Sequence, residues 1–303
     1  MPELPEVETL RRELNRALKN KKIKSASVLW PKTVAPLGVD FFEQQIKNKT
    51  IRKIERRAKI LIINFTDITA LAFHLKMTGQ LIFVPGKFTT ICSYEQIVVN
   101  KKSNIIVGGH PAPEDEKILP NKHTRLILNF SDGSILYFND LRKFGWARLI
   151  DDSQFKDITK KIGVEPLSKL FTDEFLIDLF KKYPNRTMKQ ILMDQTLIAG
   201  IGNIYADESA FLTKVLPNRK VNTIKLVQIK KLRQSIIDIL KLSIKMKGTS
   251  SRNYRRSDGS LGGFVPYLYV YGRAGQPCKI CKTPIKKIRH VGRGTHYCPR
   301  CQK

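Results

Sequence analysis

Acidic residues are scarce in this chain of 303 residues: 26 Asp and Glu stand against 55 Lys and Arg, a formal charge of +29. So large a basic excess argues for a polyanionic partner, because each Lys or Arg seated on a phosphate releases condensed counterions. Nucleic acid is the leading candidate, with a solvated basic surface or a ribosomal role as the plainer alternative. Cysteine is scarce too, with five in all and four of them within residues 278–303. No disulfide framework is therefore expected, and the reading is a reduced, cytoplasmic protein. No apolar run reaches the ~18 residues that a membrane span needs, which excludes an integral helical membrane protein. The opening Met1-Pro2-Glu3-Leu4-Pro5-Glu6 lacks the apolar core of a signal peptide. No internal repeat or heptad pattern is present, so a monomer is expected. Hydrophobic residues make up 42%, enough for ordinary cores, and the length suits two domains.

What the sequence does hold falls into two styles. Residues 1–152 read mainly as strands. Lys59–Phe65, Thr124–Phe130 and Ser134–Phe138 are short, branched or aromatic runs, and Ser131-Asp132-Gly133 marks a hairpin between the last two. One helix opens the chain, with Val7, Leu10, Leu14 and Leu18 on one face. The stretch from about 85 to 121 contains Gly108-Gly109, four prolines and Glu114-Asp115-Glu116, and reads as an inserted loop or hairpin. Residues 153–165 are polar and read as a linker. Helical periods then cover Thr172–Tyr183, Met188–Thr196, Asn203–Leu212 and Thr223–Lys247, with a sharp reversal at Ala199-Gly200-Ile201-Gly202. From Lys245 onward fourteen Lys or Arg face one acid, Asp258, a local excess of 14 − 1 = +13.

Cys278-x2-Cys281, followed after sixteen residues by Cys298-x2-Cys301, is the strongest local signal. Two such knuckles present four thiolates to one tetrahedral ion, and the spacer suits a β-hairpin. The reading is one structural Zn2+ that folds a hairpin carrying Lys286, Lys287, Arg289 and Arg293. Four thiolates leave no open position, so the ion is not catalytic. Cys92 is left over as an incidental thiol.

The amino terminus is a second, weaker signal. Trimming of Met1 before a small residue exposes Pro2 as a secondary amine. A terminal amine titrates near 8 and a lysine near 10.4, so at neutral pH the terminal group offers roughly several-hundred-fold more neutral nucleophile. A secondary amine condenses with an aldehyde carbon to an iminium, an electron sink. Glu3 and Glu6 lie beside it as proton donors and acceptors. Equally, acids at a helix start suit the helix dipole and need no catalytic role.

These residues fall into a pattern. Met1-Pro2-Glu3-Leu4-Pro5-Glu6-Val7-Glu8-Thr9 resembles the N-terminus of the formamidopyrimidine-DNA glycosylases, bacterial enzymes that repair 8-oxoguanine. Arg56-Arg57-Ala58-Lys59, His74-Leu75-Lys76-Met77-Thr78-Gly79 and Asp140-Leu141-Arg142-Lys143-Phe144-Gly145 are similar to that family's basic turn, His-Leu-x-Met-x-Gly segment and Arg-x-Phe-Gly loop. Asp194-Gln195-Thr196 through Tyr205 resembles its helix–two-turn–helix, and Tyr269 through Cys298 its zinc finger. The likeness of these motifs spans nearly the whole chain apart from residues 85–121, which are expected to be an insertion without counterpart in the bacterial enzymes.

The resemblance implies an α+β, two-domain protein. An N-terminal β-sandwich with flanking helices (1–152) is followed by the linker, a helical DNA-binding domain with a lesion-covering loop (166–265) and a four-cysteine zinc finger (266–303). Damaged double-stranded DNA would lie in the cleft between the two domains. Pro2 would form the Schiff base, Glu3 would help open the sugar, and Lys59 and Arg293 would hold phosphates and assist two eliminations. Asn203 would bind phosphate, or in its plain role cap a helix. Extruding a nucleotide costs a few kcal/mol and leaves a gap, which Met77, Phe144 and Arg142 would fill. His123, Arg186 and Tyr254 fall at further DNA-contacting positions. Arg125 stands where a second histidine often follows, and Val265-Pro266 replaces more usual polar residues. Two rivals stay open: an endonuclease VIII-type enzyme for oxidised pyrimidines, and a non-catalytic zinc-ribbon binder of DNA or RNA.

Overall fold

A computed structural model describes residues 1–86, 91–92, 96–98, 105–109, 118–249 and 263–303. The chain divides into two compact units, Met1–Thr159 with Met246–Val265, and Lys160–Lys245 with Pro266–Lys303. The fold class is α+β, as expected.

The first unit begins with α1 (Leu4–Leu18), which Pro5 and a reciprocal Glu3–Glu6 capping box start. Val7, Leu10, Leu14 and Leu18 are all buried, so the predicted face is the packed face. There follow β1 (Ile23–Val28), α2 (Val39–Ile46), β2 (Ile51–Arg57), β3 (Ile60–Phe65), β4 (Ala70–His74), β5 (Gly79–Val84), β6 (Ile91–Cys92), β7 (Gln96–Val98), β8 (Ile106–Gly109), β9 (Ile118–Leu119), β10 (Thr124–Phe130), β11 (Ile135–Asp140) and β12 (Trp146–Ile150). An antiparallel sheet in the order β1-β10-β11-β5-β8 faces a second, β12-β4-β3-β2. Alternating residues such as Leu81, Phe83, Leu136 and Phe138 meet Leu61, Ile63, Leu71 and Phe73 in one core with the buried face of α1. The Phe73 and Phe138 rings pack edge to face at 5.5 Å.

Part of the 85–121 region is integral to this sandwich. Strand β8 extends the first sheet, pairing from Gln80↔Gly109 to Phe83↔Ile106. Ile105 and Leu119 cover Ile82, Val84 and Tyr137 on the sheet's outer face, while β6, β7 and β9 form a small separate sheet. The expected linker differs as well, for α3 (Asp152–Thr159) occupies much of it and belongs to the first unit. Its polar pattern looked irregular because the helix has no buried residue. Residues 246–249 and 263–265, expected with the helical domain, group with the sandwich. Thr249 donates its N–H and hydroxyl to Glu6 Oε1 at 2.8 and 2.9 Å, and Lys247 lies 3.7 Å from Glu13.

In the second unit, α4 (Asp173–Lys182) is capped by Thr172, whose hydroxyl accepts the Phe175 N–H. Then come α5 (Met188–Met193), α6 (Asn203–Thr213), α7 (Leu226–Lys245) and the hairpin β13 (Lys286–His290) with β14 (Arg293–Tyr297). Helix α5 stops at Met193 rather than Thr196 because the Asp194 carboxylate folds forward to accept the Thr196 N–H at 3.0 Å. The reversal after it is stapled by Gln195, which accepts from the Gly200 N–H at 2.9 Å and donates to the Ile201 carbonyl at 2.7 Å. Among the described residues, no helix is long and apolar enough to cross a membrane.

Helix α6 is buried almost all round, yet carries two adjacent acids. Glu208 accepts the N–H groups of Tyr269, Val270 and Tyr271 at 2.7–2.9 Å. Asp207 takes the buried Lys189 ammonium at 2.5 Å on one oxygen and the His296 N–H at 2.8 Å on the other. Lys189 also donates to Thr295 Oγ1 at 2.8 Å. Removing one partner of such a pair leaves an uncompensated buried charge. Asp207→Asn is accordingly expected to destabilise this unit by about 3–5 kcal/mol, read as a lowered urea midpoint of its far-UV CD transition.

Candidate active site and nucleic-acid interface

Pro2 and Glu3 lie immediately before α1, both buried, with Met1 half-exposed. The Glu3 carboxylate accepts the Glu6 N–H, and Glu6 Oε2 accepts the Glu3 N–H at 2.9 Å. The orphan donors of a helix start are thus used to fix Glu3, one of the two residues expected to do chemistry.

Lys59 is buried in the tight turn between β2 and β3, where Ala58 takes a left-handed φ of 53°. Arg56 holds that turn, donating to the Ala58 carbonyl at 2.8 Å and to Glu8 Oε2 of α1 at 3.3 Å. Glu8 also takes Arg11 and Arg12. Burial raises its carboxyl pKa, but these guanidinium bonds and charges outweigh that and hold it below the ordinary value. Lys59 is near His74, the residue paired with Ile60 across the sheet. Burial, then the Lys76 and Lys59 charges, push His74 down to about 3. It is neutral at physiological pH, and its Nδ1 accepts the Lys76 N–H at 3.0 Å.

Met77, Arg142 and Phe144 come together. Met77 and Phe144 are 36% and 54% exposed, in turns where apolar side chains have no core to enter. The Arg142 guanidinium lies 4.7 Å above the Phe144 ring, and its Nη1 is 3.1 Å from Met77 Sδ. The two turns share one anchor, Asp140, which is 1% exposed. Its Oδ1 takes the Thr78 hydroxyl and the Arg142 N–H, the latter at 3.3 Å, while Oδ2 takes the Gly145 N–H at 2.6 Å. Gly79 closes the first turn with an N–H bond to Leu75 O at 2.8 Å, and a Cβ there would collide with that oxygen.

Sequence reasoning missed Asp140 as a positioning residue. The available signal was an acid ending a β-run directly before a basic-aromatic turn. It also missed Arg56–Glu8, Lys189 and Asp207, although two acids inside an apolar helix are a usable cue. His123 is half-buried in the turn leading into β10, its carbonyl accepting the Asp140 N–H at 2.8 Å. Arg125, at the departure from the usual histidine, is buried and donates to the Asp140 carbonyl at 2.9 Å.

The remaining candidates lie on the second unit. Arg186 donates to Asp194 Oδ2 at 3.0 Å and the Gln190 carbonyl at 3.3 Å. Asn203 starts α6 and donates Nδ2 to Gly294 O at 3.0 Å, which sets it beside the turn that exposes Arg293. Its Oδ1 is buried and has no hydrogen-bond partner among the described residues. Gly292 and Val291 both have positive φ in that two-residue turn, the geometry that matches strand twist, although a branched residue adopts it with strain. Tyr254 lies outside the described residues, as does most of the expected lesion-covering loop.

The four tail cysteines converge with Sγ atoms all within 4.8 Å of one another. Cys278 and Cys301 are 3.9 Å apart, Cys281 and Cys298 3.4 Å. A tetrahedral ion with bonds of ~2.3 Å needs S···S separations of about 3.8 Å. These are not disulfide distances, and the donor set fits a closed structural metal site.

Comparison with known proteins bears on all of this. Residues 1–147 match the model of the formamidopyrimidine-DNA glycosylase N-terminal domain, 162–255 that family's H2TH domain, and 275–303 a zinc finger found in FPG and IleRS. The formamidopyrimidine-DNA glycosylase of Lactiplantibacillus plantarum is 38% identical over 305 residues, covering 100% of both chains. A Lactococcus lactis Fpg in complex with DNA containing an abasic site is 35% identical, covers 99% of both chains and superposes with a TM-score of 0.82. The wild-type Lactococcus lactis protein with N7-benzyl-Fapy-dG DNA is 36% identical over 100% of both, again at 0.82.

Replacing Asp140 by Ala strands the Gly145 N–H and the Thr78 hydroxyl proton, and leaves the Arg142 N–H with only its 3.0 Å bond to Thr78 Oγ1. The expected loss is about 2–4 kcal/mol, with protease cleavage appearing at 141–145 before global unfolding. Unchanged protection of that turn would refute the anchoring role.

Proposed function

The chain belongs to the formamidopyrimidine-DNA glycosylase family, and on that premise we propose how its residues divide the work. The protein is a DNA glycosylase of base excision repair with lyase activity at abasic sites, and its partner is duplex DNA containing a damaged base. Oxidised purines, 8-oxoguanine and formamidopyrimidines, are its substrates. The observation that carries the mechanism is the amino terminus: Pro2 leads directly into α1, and Glu3 is held buried by a reciprocal cap.

With Met1 removed, Pro2 is a secondary amine at the positive end of a helix, where the neutral, nucleophilic form is favoured. It attacks C1′ as the base leaves, and the C1′–N bond becomes an iminium that acidifies the C2′ proton. Loss of that proton expels the 3′ phosphate, and a second elimination expels the 5′ phosphate. Glu3 supplies the proton that sugar opening and base departure require. Lys59 and Arg293 hold the flanking phosphates and assist the eliminations, and Asn203 adds a phosphate contact at the start of α6. His123, Arg186 and Tyr254 extend the DNA contacts. Met77 enters the space left by the extruded nucleotide, Phe144 wedges the stack and Arg142 meets the orphaned base.

Cys278, Cys281, Cys298 and Cys301 would hold Zn2+, which supplies no chemistry beyond folding the hairpin that presents Arg293. We read the enzyme as a monomer acting on nucleoid DNA in the cytoplasm.

Borohydride trapping on duplex DNA with 8-oxoguanine tests the mechanism. A covalent adduct at Pro2 is expected; an adduct only with oxidised pyrimidines would point to the endonuclease VIII-type enzyme, and tight binding without one to a non-catalytic binder. Glu3→Gln should lose base excision yet still nick a pre-formed abasic site, where the aldehyde is already available. Protein retaining Met1 should not trap, because an acylated proline has no nucleophilic lone pair. Equal trapping with Met1 in place would assign the nucleophile to a lysine.

For the metal, elemental analysis should find one zinc per chain. Chelation should lower DNA affinity without unfolding the sandwich. Disulfide pairing of the four tail cysteines in metal-free active protein would overturn the site.

A further inference from the structure

Lys143 separates Arg142 from Phe144, yet its side chain leaves theirs. Its backbone is left-handed, with φ 60°, a conformation a lysine adopts only when its surroundings demand it. That reversal lets the flanking Arg142 and Phe144 stack on each other at 4.7 Å, while the Lys143 ammonium sits 3.9 Å from the centroid of the Trp30 ring. Trp30 in turn is hung from Arg125, whose carbonyl accepts the Trp30 N–H at 3.3 Å and the Leu29 N–H at 2.9 Å. Arg125 also donates to the Asp140 carbonyl at 2.9 Å. A second observation singles out the face of the ring. The indole Nε1 is buried with no hydrogen-bond partner among the described residues, a loss that Phe or Leu at this position would not incur. What an aliphatic residue cannot replace is the π-face beneath the ammonium.

We propose that Trp30 is a positioning residue for the duplex-opening turn, holding Lys143 by a cation–π contact so that Arg142 and Phe144 project together. This rests on the reading of Met77, Arg142 and Phe144 as the gap-filling trio, and it adds a residue more than a hundred positions away to that function. Trp30 touches no reacting atom. Its effect is confined to substrates whose strands have to be wedged apart.

The test compares excision of 8-oxoguanine from duplex DNA with borohydride trapping at a pre-formed abasic site in single-stranded DNA. Trp30→Leu and Lys143→Met should each lower kcat/KM on the duplex by about five- to tenfold and leave single-strand trapping intact. Trp30→Phe and Lys143→Arg keep a ring face and a cation, and should restore most of the duplex activity. Thermal melting of Trp30→Phe should match or exceed that of the parent, since the unpaired N–H is gone. Phe144→Ala serves as the control for the underlying reading. If Phe144→Ala fails on the duplex while Trp30→Leu and Lys143→Met do not, the brace is refuted and the wedge stands. If Phe144→Ala is itself harmless, the wedge reading falls and the brace with it. Equal loss on both substrates would make Trp30 an ordinary packing residue and overturn the proposal.

Discussion

A carboxylate taken out of water has to be fully hydrogen-bonded, and this requirement shapes each turn that presents a candidate functional side chain. Asp207, with no exposed surface, gathers Lys189, the His296 N–H and the ring of His296, and so fixes the zinc-finger hairpin to the helices of its own unit. Asp140 does the same for the Met77 and Arg142–Phe144 turns. Glu8 acts through Arg56 on the turn of Lys59, and Glu6 on the backbone of Glu3. In a chain so poor in acids, those it keeps inside are spent on geometry.

Strain coincides with these turns. Ala58, Lys76, Lys143 and Val291 all have positive φ without being glycine, and each lies within two residues of Lys59, Met77, Phe144 or Arg293. Backbone of this kind persists only where the surroundings over-determine it. Here the over-determination is visible as the Arg56 bond to Ala58 O, the His74 bond to Lys76 N, the Trp30 face under Lys143 and the Asn203 and Lys189 bonds to Gly294 O. Reach across a deformed duplex requires side chains held away from the protein body, and flexible loops would surrender the gain in ordering entropy.

The surface is otherwise arranged for a polyanion. Lys and Arg exceed Asp and Glu by 29 along the chain, whereas His74 is kept neutral between two lysines by its burial. An imidazole that stays uncharged adds no further positive charge to a site already supplied by Lys59 and Lys76, and its ring nitrogen serves instead to shape the Met77 turn.

Much of this was legible in the sequence because it depends on local pattern. The face of α1, the run of β10, the hairpin turn at Ser131-Asp132-Gly133, the Thr172 cap and the convergence of two Cys-x2-Cys knuckles follow from periodicity, turn chemistry and ligand spacing. The ordered motifs likewise singled out Pro2, Lys59, Met77, Arg142, Asn203 and Arg293 as candidates. The helix in the expected linker was not legible, since a helix with no buried face leaves no hydrophobic period to read. Nor was the pairing of β8 with β5, because strand partners across a long connection are chosen by the sheet. Tertiary structure alone decided which polar or charged group meets which partner: Lys189 finds Thr295 across 106 residues, Thr249 finds Glu6 across 243, and Lys143 lies over Trp30. Such pairs carry no periodicity, for a buried charge is satisfied by whatever the fold brings within about 3 Å of it, and only the folded chain determines what that is.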